Sequence, residues 1–286
     1  MQTNIKETEN QQKNKIILDD EIKVTFLYHS GFLLEMQNVI FLFDYYKGEI
    51  PELDSQKDIY IFSSHRHPDH FCFEIFELAE KYPKVKYILS NDIKKKYKKK
   101  YMLEKKGISE KIYESILYLK EKEMWEDENI TVCTIPSTDI GVAFLVMAKA
   151  AEKIIYHAGD LNWWTWEGET EQEYQTMTKK FKSAIKILRQ GLMDINTIQI
   201  DAAFVPLDPR QKERYAKGFD YFMRNVPVKY VFPMHAFGDY SVIERLMKDE
   251  LSENYRDKII NICGHKKKKV KIINPEMRRQ IKELLK

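Results

Sequence analysis

The sequence predicts a mixed α/β fold, and three observations predict it. The first half is rich in short apolar runs of β-branched and aromatic residues. The second half alternates such runs with segments whose apolar residues recur at helical spacing. No solenoid-period repeat, low-complexity linker or composition break divides the chain. At 286 residues it can bury a sizeable core. Residues 1–15 are polar and read as a disordered tail, leaving residues 16–286 as a single domain.

The elements follow in order. Residues 22–27, 32–36 and 39–43 form a meander turned at Gln37-Asn38 and closed by Asp44. The run 58–62 is a further buried strand. Residues 71–82 show helical spacing and stop at Pro83, and a short strand covers 85–89. Asn91 opens a lysine-rich helix to Lys106, with Gly107 as its stop. Residues 116–124 and 129–135 read as a strand pair joined by Glu126-Asp127-Glu128, and 142–147 and 154–156 as another. A long helix spans about 169–190 and ends at Gly191. A strand at 198–205, a helix at 211–224, a strand at 229–232 and a helix at 242–251 complete the alternation, before a strand near 270–273 and a helix from Pro275.

Composition narrows the function. With 43% hydrophobic and 32% charged residues the chain is that of a globular protein, and a net charge of +3 demands neither nucleic acid nor membrane. Cys72, Cys133 and Cys263 are odd in number and far apart, which points to a reducing compartment rather than a disulfide scaffold. Met1–Lys15 lacks the apolar stretch of a signal peptide, and no run is long enough to span a bilayer, so a cytoplasmic protein is expected.

The chemistry concentrates in His65-Arg66-His67-Pro68-Asp69-His70, where three of the seven histidines fall within six residues. Pro68 rules out a regular helix there, so the hexapeptide is a loop ending the strand 58–62. A lone histidine is usually a surface or core residue. Four ligand-type side chains in one non-helical loop have little structural use without a divalent ion, and imidazole with carboxylate suits zinc.

At these residues the chain resembles the metallo-β-lactamase superfamily, whose signature is His-x-His-x-Asp-His after a strand. The resemblance implies a four-layer αββα sandwich, two mixed sheets with helices on the outer faces and a metal site at one sheet edge. It also implies one or two divalent ions, zinc foremost, with manganese or iron open. Two later segments match it. Ile154–Asp160 is an apolar strand ending in Gly-Asp, where the family places a bridging aspartate, here Asp160. Tyr230–His235 ends in a histidine matching the family's late ligand. By themselves these are an ordinary turn and a turn histidine. The implied ligands are thus His65, His67, Asp69, His70, Asp160 and His235.

One departure stands out. The family supplies a further histidine in a Gly-His-Thr-x-Gly stretch, and the corresponding Ser137-Thr138-Asp139-Ile140-Gly141 has Thr138 in its place. Asp139 or water would have to complete the first site. Tyr28-His29-Ser30 resembles the Gly-His-Ser of the branch similar to ascorbate-6-phosphate lactonase, with Tyr28 replacing the glycine. That likeness makes His29 a substrate contact, against its reading as a packed hairpin residue.

Trp163, Trp164 and Trp166 follow Asp160 as a pocket wall or a core plug, with the wall favoured. Arg210 ends an Asp-Pro-Arg turn and either binds a substrate's carboxylate or phosphate or pairs with Asp208. The lysine runs 94–100 and 266–269, with Tyr97 and Tyr101, suit a nucleic-acid backbone, but more often form a solvated face. His157 and His265 read as structural.

The expected activity is therefore metal-dependent hydrolysis of a small ester, lactone or phosphoester, with Asp69 also orienting the nucleophile or taking its proton. Two alternatives stay open. One is a metal-dependent nuclease acting on nucleic acid. The other is a catalytically impaired metal-binding or sensing protein, motivated by the missing histidine.

Overall fold

The computed structural model describes residues 15–19 and 21–262. The expected strand near 270–273, the last helix, the 266–269 lysine run, His265 and Cys263 lie outside the described residues, as does the tail to residue 14. Lys15, assigned above to the tail, instead opens a strand, β1 (Lys15–Leu18). It pairs antiparallel with β2 (Ile22–Tyr28), which carries on to β3 (Gly31–Glu35) and β4 (Val39–Phe43) as the expected meander.

The chain then adds three parallel strands to the same sheet, β5 (Asp58–Ser63), β6 (Val85–Ser90) and β7 (Ile116–Leu119). A second sheet has the order β13-β12-β11-β10-β9-β8, where β8 is Met124–Glu126, β9 Ile130–Pro136, β10 Val142–Ala148, β11 Lys153–His157, β12 Ile200–Pro206 and β13 Val228–Met234. The last three are mutually parallel. The pairing expected across 116–135 is therefore corrected. β7 belongs to the first sheet, and only β8 turns back onto β9.

Side-chain alternation builds the layers, since successive strand residues point to opposite faces. Phe32, Phe43 and Phe62 of the first sheet face the second, where Phe32 meets Phe204 at 4.4 Å and Phe62 meets Phe144 at 5.2 Å between ring centroids. Leu33, Leu42, Ile61 and Leu89 face the other way, onto Phe71, Phe76, Ile93 and Met102. These last residues sit on a 3₁₀ turn (Phe73–Glu77) with its flank, and on helices α1 (Leu78–Lys81), α2 (Asn91–Lys96), α3 (Lys99–Lys106) and α4 (Glu110–Ser115). Beyond the second sheet lie α5 (Glu171–Asp194), α6 (Lys217–Asn225) and α7 (Ser241–Lys248), packing through Phe181, Leu188, Phe222 and Ile243. The result is helix–sheet–sheet–helix.

Several expected helices differ. The 71–82 helix resolves into the 3₁₀ turn and the single turn α1, and the 91–106 helix breaks at Tyr97. Gly191 lies inside α5 rather than ending it, because Leu192 still packs into the core and Gly191 lies against Leu145. The 211–224 helix starts as a 3₁₀ turn (Pro209–Arg214) kinked at Lys212, whose φ is +53°. Pro233 is tolerated in β13 because that strand closes the sheet order, where a missing N–H donor costs no ladder bond.

Among the described residues no helix is long and apolar enough to cross a membrane. Four lysines of α2 and α3 are engaged locally. Lys99 pairs with Glu110 and Glu114, and Lys94, Lys96 and Lys106 lie over Tyr118, Tyr97 and Phe73.

Candidate metal centre

The C-terminal ends of parallel strands from both sheets converge at one edge of the sandwich, the usual ligand-binding position in parallel sheets. β5 delivers His65, His67, Asp69 and His70; β11 delivers Asp160; β13 delivers His235. Two hairpin loops add His29, between β2 and β3, and Asp139, between β9 and β10.

The donors form two sets whose ligand atoms lie within 4.8 Å of one another: His65, His67, Asp139 and Asp160, and His29, Asp69, His70 and His235. Asp160 joins them. Its Oδ2 is 3.4 Å from His65 Nε2, while its Oδ1 is 3.1 Å from both His70 Nε2 and His235 Nε2. The remaining pairs are His67 Nδ1 to Asp139 Oδ2 at 3.6 Å, His29 Nε2 to Asp69 Oδ2 at 3.5 Å, and His65 Nε2 to His67 Nδ1 at 3.0 Å.

These spacings fit a divalent ion. Two ligands at zinc-like bond lengths in a tetrahedron are about 3.4 Å apart. His29 Nε2, His70 Nε2 and Asp160 Oδ1 are buried, and none has a hydrogen-bond partner among the described residues, even where they approach one another. Buried polar atoms are nearly always satisfied, so three left without a partner in one cluster are what a cation would satisfy.

The charge balance agrees. Burial would lower the pKa of His70, but Asp160 and Asp44 outweigh it and raise it well above the ordinary histidine value. Burial likewise opposes ionisation of Asp160, yet His70 and His235 hold its carboxyl well below the usual range. At His70 and Asp160 the surroundings favour positive charge beside the carboxylate. His29 lies on the neutral side of the cluster, where burial and then His235 and His70 push it down to about 3.

A second ring of residues sets the imidazole orientations. Asp44, fully buried, accepts from Ser64 N at 2.7 Å and from Ser64 Oγ at 2.6 Å. Ser64 Oγ lies 2.9 Å from His65 Nδ1, and Asp44 Oδ2 lies 2.7 Å from His70 Nδ1. With Nδ1–H donating in both rings, both Nε2 lone pairs turn inward. Asp208 does the same for His235, with Oδ2 3.2 Å from Nδ1. None of Asp44, Ser64 or Asp208 was expected as a site residue. The available signal was that Asp44 ends β4, the strand parallel to the one that delivers the histidines.

Backbone strain marks the same place. His29, Asp44, His235 and Phe237 all have positive φ, between 42° and 64°. The first and third are linked by a hydrogen bond from His235 N to His29 O at 3.3 Å. Gly141 and Gly159 also have positive φ and pack onto Ser64, where a Cβ on Gly141 would lie 2.1 Å from the Ser64 carbonyl oxygen.

Other expected site residues divide. Thr138 does not face the donors. Its hydroxyl donates to Asn162 O at 2.7 Å and accepts from Asn162 N at 3.0 Å, pinning the loop that follows Asp160. His29, expected as a substrate contact, stands among the donors. Arg210 pairs with Asp208 through Nε at 3.0 Å and Nη2 at 2.6 Å, and remains half exposed with its guanidinium 3.6 Å from the Phe237 ring centroid.

The tryptophans also split. Trp163 packs against Phe181 and Tyr221, so it walls a different cleft rather than the donor cluster. Trp164 packs beside His235 and stacks on the exposed Trp166. His157 is buried and structural. Its Nε2 lies 2.8 Å from Ser30 O, bracing the hairpin that carries His29. A separate cleft of about 420 Å³, lined by Trp163, Lys217, Tyr221 and Leu251 among others, holds none of the donors.

No protein-family model and no curated protein matches the sequence. Solved structures do. A protein assigned as a metal-dependent hydrolase from Parabacteroides distasonis superposes with a TM-score of 0.54 at 15% identity, covering 86% of this chain and 96% of its own. Igni18, a metallo hydrolase from Ignicoccus hospitalis, gives 0.50 at 12% identity over 84% and 94%. YhfI from Bacillus subtilis, described as a metallo-β-lactamase fold protein, gives 0.49 at 10% identity over 79% and 85%. Layer order, sheet topology and the first two superpositions together show that this chain shares the αββα fold of those two solved structures.

Proposed function

We propose that this protein is a metal-dependent hydrolase acting on a small ester, lactone or phosphoester that carries a negative charge. The observation that carries the reading is the set of orphaned buried donor atoms at co-ligand spacing around Asp160. His65, His67, Asp139 and Asp160 would hold one divalent ion, and His29, Asp69, His70 and His235, with Asp160 shared, a second, zinc foremost, with manganese or iron open. Such ions supply Lewis acidity and lower the pKa of water toward neutrality.

The chain's own groups do the rest. Asp69 is a carboxylate at the cluster with about a third of its side chain exposed. It is placed to orient an attacking water and take its proton. Asp208 holds both His235 and Arg210, so the guanidinium is fixed relative to the donors. Its free edge suits a substrate carboxylate or phosphate, with the exposed rings of Phe237 and Trp166 as flanking walls. Lys94, Lys96, Lys99 and Lys106, being paired or stacked on neighbours, are less open to a nucleic-acid backbone, which favours a small molecule.

Metal analysis with a substrate panel tests this. Dialysis against a chelator is expected to lower turnover of an anionic ester or lactone more than about 100-fold, with recovery on adding zinc or manganese. Less than one ion per chain in the untreated protein would end the proposal. Arg210→Met is expected to raise KM for anionic substrates about tenfold or more, with metal content retained and with little effect on uncharged analogues. An equal change for both classes would remove Arg210 from substrate binding.

A further inference from the structure

We infer that the two donor sets are unequal: the His29 set is a tight, imidazole-rich site, and the Asp139 set is a weaker, exchangeable site that discriminates less for zinc over manganese. This rests on the metal-dependent reading above.

Composition separates the sets. The second offers three imidazoles, from His29, His70 and His235, with Asp69 and the shared Asp160. The first offers two imidazoles and two carboxylates, because Asp139 adds a carboxylate to it while Thr138, at the position where the resemblance expects a histidine, is turned away to bond Asn162. Imidazole favours zinc, copper and iron, whereas carboxylate suits manganese and magnesium. Zinc remains the stronger binder of the two at either site, but its margin shrinks as carboxylate replaces imidazole.

Exposure separates them further. In the second set the three histidine side chains are at most 3% exposed. In the first set, His67 and Asp139 are 41% and 43% exposed. Donors open to water leave the ion partly hydrated and give it an exit. The supports differ in the same sense. His70 and His235 are each held through Nδ1 by the buried carboxylates Asp44 and Asp208, and His65 through Ser64. Among the described residues, the His67 and Asp139 side chains meet each other and His67 meets His65, with no buried carboxylate behind either. The positive φ of His29 and the His235 N to His29 O bond fix His29 as a member of the second set rather than a mobile surface imidazole.

The test is a titration of the full-length protein, stripped by chelation, with zinc and separately with manganese. Calorimetry counts the steps, and loss of the free-ion resonance follows manganese. Two steps at least about tenfold apart are expected, with a smaller zinc-to-manganese ratio for the weaker one. Asp139→Asn is expected to erase the weaker step and leave the tighter one. Asp139→His is expected to strengthen the weaker zinc step about tenfold or more while strengthening the manganese step less, and His29→Gln to weaken the tighter step by a similar factor. Asp139 is exposed, so its variants perturb folding little, and circular dichroism checks each. Two steps unchanged in Asp139→Asn, or two equal steps in the unaltered protein, would overturn the inference while leaving the hydrolase proposal standing. Uptake of no ion by the unaltered protein would overturn both.

Discussion

Replacing Asp160 with alanine is expected to empty both donor sets at once and to lower turnover roughly 10³-fold or more, beyond the 10²–10³ of losing one electrostatic contact. Its two oxygens face different histidines, Oδ2 toward His65 and Oδ1 toward His70 and His235. No neighbouring carboxylate shares that position, since Asp69 lies across from His29 and Asp139 beside His67. Loss of a residue that merely supports a ligand typically costs 10–100-fold in metal affinity, so loss of the shared ligand should cost more than about 100-fold at each site. The Asp160→Asn variant keeps the shape and removes the charge. If it retained two ions per chain by elemental analysis, Asp160 would not be the shared ligand. Asp160 is nearly buried, so thermal melting of each metal-free variant separates lost ions from lost fold.

Gly141→Ala is expected to be the most damaging small change away from the donors. The residue has φ of +74°, which costs an L-residue about 1–2 kcal/mol. Its new Cβ would also sit 2.1 Å from Ser64 O and 2.6 Å from His65 Cβ. Relief needs the β5 end to move, because the contact is with backbone and with the first side-chain atom of His65. Overpacking of this kind adds about 1–3 kcal/mol, giving roughly 4 kcal/mol in all and a fall in Tm on the order of 10 °C. Because Ser64 relays Asp44 to His65, metal affinity at the first set should fall with stability. A melting temperature within about 2 °C of the unaltered protein would show that the loop yields more easily than its packing implies.

What could be read from residues alone follows from what is local. The β2–β4 meander and the β10–β11 hairpin are contiguous in sequence and carry their own alternation, so they were legible. The hexapeptide 65–70 was legible because ligand-type residues crowd one loop. The partner of β7 was not, since it depends on a parallel crossover to β6 rather than on the nearer β8. Gly191 looked like a helix stop because a glycine's tolerance of a C-cap is visible and the packing of Leu192 is not. Asp44 and Asp208 were unreadable as supports for His70 and His235, because each is 26 or 27 residues from the ring it holds. The placement of His29 among the donors depends on a link between loops some two hundred residues apart, His235 N to His29 O.

That the donors come from both sheets has a consequence for how the molecule comes apart. His29 and the 65–70 loop belong to the first sheet, and Asp139, Asp160 and His235 to the second. An ion gripped by both would work as a clasp across their shared apolar layer. Stripping it should loosen the sandwich from the donor edge inward. Amide exchange would then quicken in step at Ser30, Gly141 and Ala236, while the far ends of the strands keep their protection.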